Sequence, residues 1–196
     1  MSGIRLLIGL GNPGSRYAAT RHNVGFWLAD RVAAAHGGVF RDETRFHGAL
    51  CRLTVADCEL RLLKPTTFMN HSGRSVSALV RYFDLEPEAL LVAYDELDLP
   101  VGQVRLKKGG GHAGHNGMRD VIAALGNRDF WRLRIGIGHP GDKQQVVNYV
   151  LNAPTKTEAE QLSAGLATVE QHLPALLNGE FQRVMNQLHA NRESLA

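Results

Sequence analysis

"IGLGNPGSRYAATRHNVG", residues 8–25, is the stretch on which the fold turns. Gly9, Gly11 and Gly14 spell G-x-G-x-x-G behind an apolar run, the pattern that seats a dinucleotide's pyrophosphate on a helix N-terminus. That use requires the helix to start within the motif and a second parallel strand to end in an acidic residue about 20 positions on. Neither condition is met. Pro13 removes a backbone donor where donors are wanted, and "SRYAATRHN" intervenes before helical periodicity begins. The one acidic residue at a suitable distance, Asp30, falls inside that helix. The stretch reads instead as a strand closing in a tight Asn-Pro-Gly turn. Such a turn sets Asn12 at the carboxyl edge of a sheet, where open α/β sheets hold ligands.

Outward from this point, strands and helices alternate. A strand over Ile4–Leu10 precedes a helix over Val24–His36, with Val24, Trp27, Leu28, Val32 and Ala35 on one face. Asn23 is placed to cap it and Gly37-Gly38 to end it. Ala49–Val55 and Cys58–Leu63 form a hairpin about Ala56-Asp57. Ser72–Phe83 is helical, with Val76, Leu79, Val80 and Phe83 at i, i+3, i+4, i+7. Leu90–Tyr94 and Gln103–Lys107 are strands, Met118, Val121, Ile122 and Leu125 mark a helix, and Trp131–Gly138 alternates. The part from about 155 to 190 is helical. The expectation is an α/β fold: one domain over 1–196, built on a twisted, mixed β-sheet with helices on both faces.

Composition narrows the classes. Of the 196 residues 44% are hydrophobic and 21% charged, ordinary for a chain with a sizeable core. No apolar run approaches the roughly 20 residues of a membrane helix, and "MSGIRLL" carries no export signal. Cys51 and Cys58 flank the hairpin turn without facing each other and match no zinc spacing, so they read as reduced thiols of a cytoplasmic protein. The net charge of +3 permits an anionic partner without demanding one.

Polar residues gather where strands and loops end: Asn12 with His22, "KPTTFMNHSG" at 64–73, "YDELD" at 94–98 and "GGHAGHNGM" at 110–118. Amides both donate and accept, which suits a peptide-like or ester-bearing ligand. A histidine beside a carboxylate suits general-base activation of water. G-x-S-x-G is absent, so activated water is favoured over an acyl-enzyme. His112 and His115 form H-x-x-H, a pattern short of a metal signature, and no metal is expected. His36, His172 and His189 are assigned to helices away from these clusters. Arg105 and Lys107 share one strand face, Arg132 and Arg134 share one face of a later strand, and Lys108 leads into the glycine loop. These basic residues could bind phosphate or form a solvated face. No P-loop is present.

The blocks "GLGNPGSRYAATRHNVG", "KPTTFMNHSG", "GGGHAGHNGMRD" and "RLRIGIGHPG", in this order, resemble the bacterial-type peptidyl-tRNA hydrolases from about Ile4 to Leu151. Phe68 departs from that pattern, where tyrosine is common, and so does His139 in a loop. The resemblance implies cleavage of the ester between a peptide and the 3′ ribose of tRNA by a cytoplasmic monomer without cofactor. It implies His22 as catalytic base with Asp95 orienting it, and Asn12, Asn70 and Asn116 as cleft amides. Met69 and His115 would line the cleft, Tyr17 would lie beside it, and Lys107 with Arg134 would hold the tRNA 5′ phosphate. Two competing readings are an RNA-binding module without activity and a metal-dependent hydrolase using His112 and His115.

Overall fold

Gly9 and Gly25 explain the glycines of the opening motif. In the computed structural model, which describes residues 3–190, the first strand, β1 (Leu6–Gly9), lies directly under the first helix, α1 (Val24–Ala35). A Cβ on Gly9 would collide with the Gly25 carbonyl, and one on Gly25 with the Ala93 carbonyl and the Leu10 backbone. Gly11 is flattened in the same way against the Phe26 ring. Gly14 has φ +95°, a turn conformation that suits glycine. The glycines therefore serve a close helix–strand crossing and a turn.

The remaining strands are β2 (Arg41–Glu43), β3 (Gly48–Val55), β4 (Cys58–Pro65), β5 (Leu90–Glu96), β6 (Val104–Lys108) and β7 (Trp131–Gly136). The described residues form one seven-stranded sheet in the order β2-β3-β4-β1-β5-β7-β6. The four inner strands, β4, β1, β5 and β7, run parallel, while β2, β3 and β6 join antiparallel at the flanks. The hairpin has the expected register, Cys51 opposite Leu62 and Cys58 opposite Val55, and both thiols are free. Ala56 and Asp57 both take positive φ, the turn that matches strand twist in a two-residue hairpin.

Helices cover both faces, as the alternation of elements implies. Leu7, Leu91, Leu133 and Ile135 pack under α1, α5 (Lys156–Leu177) and α6 (Phe181–Ala190). Leu6, Ile8, Val92 and Tyr94 pack under α2 (Ser72–Phe83) and α3 (Asn116–Leu125). A short α4 (Val146–Val150), without a periodic signal in the sequence, precedes α5. Within α1 the buried stripe is tighter than predicted: Gly25, Ala29 and Ala33 lie against the sheet, while Trp27 is partly covered and Ala35 exposed. Small residues are needed because the helix sits so close. His36 follows α1 rather than lying within it.

The chain leaves β1 towards β2–β4 and leaves β5 towards β6 and β7. Strand order therefore reverses between β1 and β5, which opens a crevice at their carboxyl ends. Asn12 and Asp95 stand there. Because backbone surrounds Gly25, Gly25→Ala is expected to lose about 3 kcal/mol or more of stability in urea unfolding. Gly111→Ala, with open space around it and no positive φ, should unfold like wild type in the same assay.

Candidate active site

Asp95 ends β5 with its side chain 2% exposed. A carboxylate so buried must have its charge answered. His22, from the turn that enters α1, puts Nδ1 2.9 Å from both carboxylate oxygens. His115, at the N-cap of α3, puts Nε2 2.9 Å from Oδ1. The tautomer of His115 is fixed from its other side, where Nδ1 accepts the Met118 N–H at 3.2 Å. Nε2 therefore carries the proton and donates to Asp95. The two imidazole centroids are 5.1 Å apart, and the Tyr94 ring meets His115 edge-on at 5.0 Å.

The electrostatics follow from this packing. Burial alone would raise the Asp95 pKa, yet the charges and N–H groups of His22 and His115 hold it well below the carboxylate range. Asp95 is ionised and accepts from His22 Nδ1–H. For His22, burial works against the imidazolium, but the adjacent Asp95 charge and its hydrogen bond outweigh burial and raise the pKa above 6.5. His22 Nε2 is the nitrogen left for the cleft.

Asn12 is held at its backbone by one side chain. Asn23 Oδ1 accepts the Asn12 N–H at 2.9 Å, and Asn23 Nδ2 donates to the Asn12 carbonyl at 2.8 Å. Asn23 makes no capping bond to α1, contrary to the expectation, because its amide is committed to this clasp. Asn12 Oδ1 accepts the Met69 N–H at 2.7 Å, which leaves Nδ2 as the group it can offer a ligand. A cavity of about 710 Å³ opens over this cluster, lined by Asn12, His22, Met69, Asn70, His115 and Asn116. Val146, Val147, Val150 and Leu151 give it an apolar wall. Arg21, next to His22, ties that wall to the turn that carries His22: it donates to the carbonyls of Tyr149 and Asn152 and to Glu158 at 2.8 Å. Glu158 and Thr155 in turn form the capping box of α5.

Residues 6–195 match the family model described as peptidyl-tRNA hydrolase. The chain belongs to the peptidyl-tRNA hydrolase family. Among curated relatives, the peptidyl-tRNA hydrolase of Halorhodospira halophila is 53% identical over 186 residues, covering 95% of this chain and 96% of the relative. That of Methylobacillus flagellatus is 53% identical over 189 residues, covering 96% and 98%. The crystal structure of peptidyl-tRNA hydrolase from Acinetobacter baumannii superposes with a TM-score of 0.93 at 43% identity, covering 96% of this chain and 95% of that one.

The site residues expected for a peptidyl-tRNA hydrolase fall into two groups here. Asn12, His22, Met69, Asn70, Asp95, His115 and Asn116 converge on one cavity. Tyr17 stays outside its lining and packs edge-on against the exposed Phe68, ring centroids 6.2 Å apart. Asn116 has its Oδ1 engaged by Arg119 at 3.0 Å. The basic residues lie on the edge strand β6 and its inner neighbour β7, where Arg105 pairs in register with Arg134 and Lys107 with Arg132. Lys107 is exposed, and Arg134 is partly buried against Glu96 at 2.9 Å. Two basic residues depart from the shared patch. Lys108 belongs by strand alternation to the opposite face from Lys107 and pairs with Glu88 at 3.5 Å. Arg132 is sealed inside, because the glycine loop folds over it.

His112 and His115 do not act together: His112 Nδ1 accepts from Gly114 N–H, while His115 turns to Asp95. The donor set with metal-like spacing among the described residues is instead His22, Asp95 and His115, their atoms within 4.8 Å of one another. A cation there would have to displace both protons that now bind the carboxylate. No helix among the described residues is long and apolar enough to cross a membrane. Sequence reasoning missed Tyr94, Asn23 and the wall from Val146 to Leu151. A signal existed only for the wall, in the run "VVNYVL". Titration of His22 by NMR is expected to give a midpoint above 6.5 in wild type and a lower one in Asp95→Asn, where the charge that sustains the imidazolium is gone.

Proposed function

We propose that this chain hydrolyses peptidyl-tRNA with His22 as general base, Asp95 as its orienting anion and Asn12 as the donor to the oxyanion. The observation that carries the assignment is the His22–Asp95 pair, which commits Nδ1 and leaves Nε2 facing the cleft beside Asn12. His22 Nε2 takes a proton from water as its oxygen attacks the ester carbonyl carbon. Asn12 Nδ2, preset by the Met69 bond to Oδ1, meets the negative charge that forms on the carbonyl oxygen. The bond to the ribose 3′ oxygen then breaks, and the proton on His22 passes to that oxygen. A ribose hydroxyl leaves far more readily than an amine, so no covalent intermediate is required.

Asn70, Asn116, Met69 and His115 form the peptide side of the cleft. Amides there would be left unpaired by a free aminoacyl group, which supports discrimination in favour of N-substituted substrates. Lys107 and Arg134, with Arg105 beside them, hold the 5′ phosphate, and contacts of this kind are nearly blind to sequence. Tyr17 and Phe68 stand at the rim. We place the enzyme in the cytoplasm as a monomer. Two observations support this: the thiols are unpaired, and the large exposed apolar side chains lie at the cleft rim (Phe68, Val147, Leu151) or singly (Val39, Tyr82).

The test is release of N-acetyl-amino acid from N-acetyl-aminoacyl-tRNA with chelator present. Wild type is expected to cleave it and to spare the unblocked aminoacyl-tRNA, with His22→Ala slower by about 10²–10⁴-fold. Activity that vanishes in chelator would favour a metal at His22, Asp95 and His115. Binding without cleavage would favour an RNA-binding module. Because His22 must be neutral to act, kcat/KM should fall as pH drops through its raised pKa, and Asp95→Asn should move that fall to lower pH. Lys107→Ala is expected to raise KM and lower the salt dependence of tRNA binding by about one charge, with kcat little changed.

A further inference from the structure

Arg132 is 1% exposed, and among the described residues no carboxylate pairs with it. Its donors go to main-chain oxygens: Nη1 to Gly111, Nη2 to Gly110 and to Arg128 at 3.3 Å. Tyr94 stands diagonally across the β5–β7 ladder on the same face, and Nε of Arg132 has no partner. A buried cation without an anion is a costly way to fill space, and an apolar side chain of equal volume would be cheaper. The guanidinium does something an apolar group could not. Residues 109–111 are all glycine, with no side chains by which to anchor the loop, and a planar fork can grip two successive carbonyls. A few residues on, that loop delivers His115 to Asp95. Tyr94, its neighbour on that face of the sheet, presents its ring edge-on to His115.

We propose that Arg132 is a positioning residue for the hydrolysis: through the glycine loop and Tyr94 it keeps His115 on Asp95. The inference rests on the reading of His22 and Asp95 as the catalytic pair, with His115 as the second imidazole that holds Asp95. It also gives the buried arginine of β7 a role apart from substrate contact. Lys107, opposite Arg132 in the ladder, lies at the surface with its ammonium about 3.0 Å from where a Cβ of Gly110 would stand. Arg132 lies beneath.

The experiment compares wild type, Arg132→Met, Arg132→Lys, His115→Ala and the Arg132→Met/His115→Ala double variant on N-acetyl-aminoacyl-tRNA. Thermal unfolding is measured alongside. Arg132→Met and His115→Ala are each expected to lower kcat about tenfold or more, Arg132→Met with KM within about twofold, and the double variant to be no slower than the slower single. Arg132→Lys, which keeps the charge without the fork, should recover part of kcat. In proton NMR the hydrogen-bonded Nε2–H of His115 should be lost in Arg132→Met while Nδ1–H of His22 persists. Rate losses that multiply in the double variant overturn the proposal, as does a raised KM at constant kcat, which would make Arg132 a tRNA contact. If Arg132→Met does not fold, Arg132→Lys is judged by the same kcat, KM and NMR criteria. An inert wild type removes the catalytic reading itself. An active wild type with an unaffected Arg132→Met removes only this inference.

Discussion

A single buried negative charge organises the crevice. Asp95 cannot be hydrated where it stands, so it is stable only while imidazole N–H groups reach it, and two do. Those N–H groups come from segments far apart in sequence, the turn before α1 and the cap of α3. The carboxylate thereby fixes the geometry of both. It also makes the two histidines unequal. His115 has both nitrogens occupied, one by Asp95 and one by Met118, whereas His22 keeps a nitrogen for chemistry. The same charge makes that nitrogen more basic, so one side chain supplies position, tautomer and proton affinity.

The sheet distributes these duties by alternation. Asp95 and Glu96 are neighbours on β5 and point to opposite faces. Asp95 meets the turn that carries His22, while Glu96 holds Arg134 on the side of the basic strands. The His22–Asp95 pair and the basic strands are thus separated by the thickness of one strand and share its rigidity. The close crossing of α1 over β1 at Gly9 and Gly25 sets the height at which His22 arrives. Arg21 links the same turn to the cleft wall, so wall and base are fastened to one another through Glu158.

Much of this was legible in the sequence wherever a short-range rule governs. The Ser72–Phe83 helix follows from its apolar period, and the hairpin register from a two-residue turn. Asn12 at the carboxyl edge follows from a strand that ends in Asn-Pro-Gly. Long-range commitments were not legible. Asn23 before a helix looks like a cap, and only the fold reveals that its amide is spent on Asn12. Arg132 alternates with apolar residues just as Arg134 does, so both read as one basic face open to phosphate or solvent. The glycine loop that buries one and spares the other is a tertiary feature. Lys108 reads as the entry to the glycine loop, but the strand runs one residue further than its pattern implies, which puts it in register with Trp131. The blocks shared with the peptidyl-tRNA hydrolases named the cleft residues but not what holds them.

The clasp of Asn23 on Asn12 also bears on how the protein ages. Asparagine side chains are lost over time when the next residue's backbone nitrogen attacks the amide carbon and closes a succinimide ring. Asn12 precedes Pro13, whose nitrogen carries no hydrogen and cannot make that attack. Asn23 precedes Val24, whose branched Cβ crowds the approach and whose nitrogen begins a helix. Conversion of Asn23 to aspartate would set a carboxylate against the Asn12 carbonyl where an N–H now points. The sequence thus protects chemically, residue by residue, the amide pair on which the crevice relies for its shape.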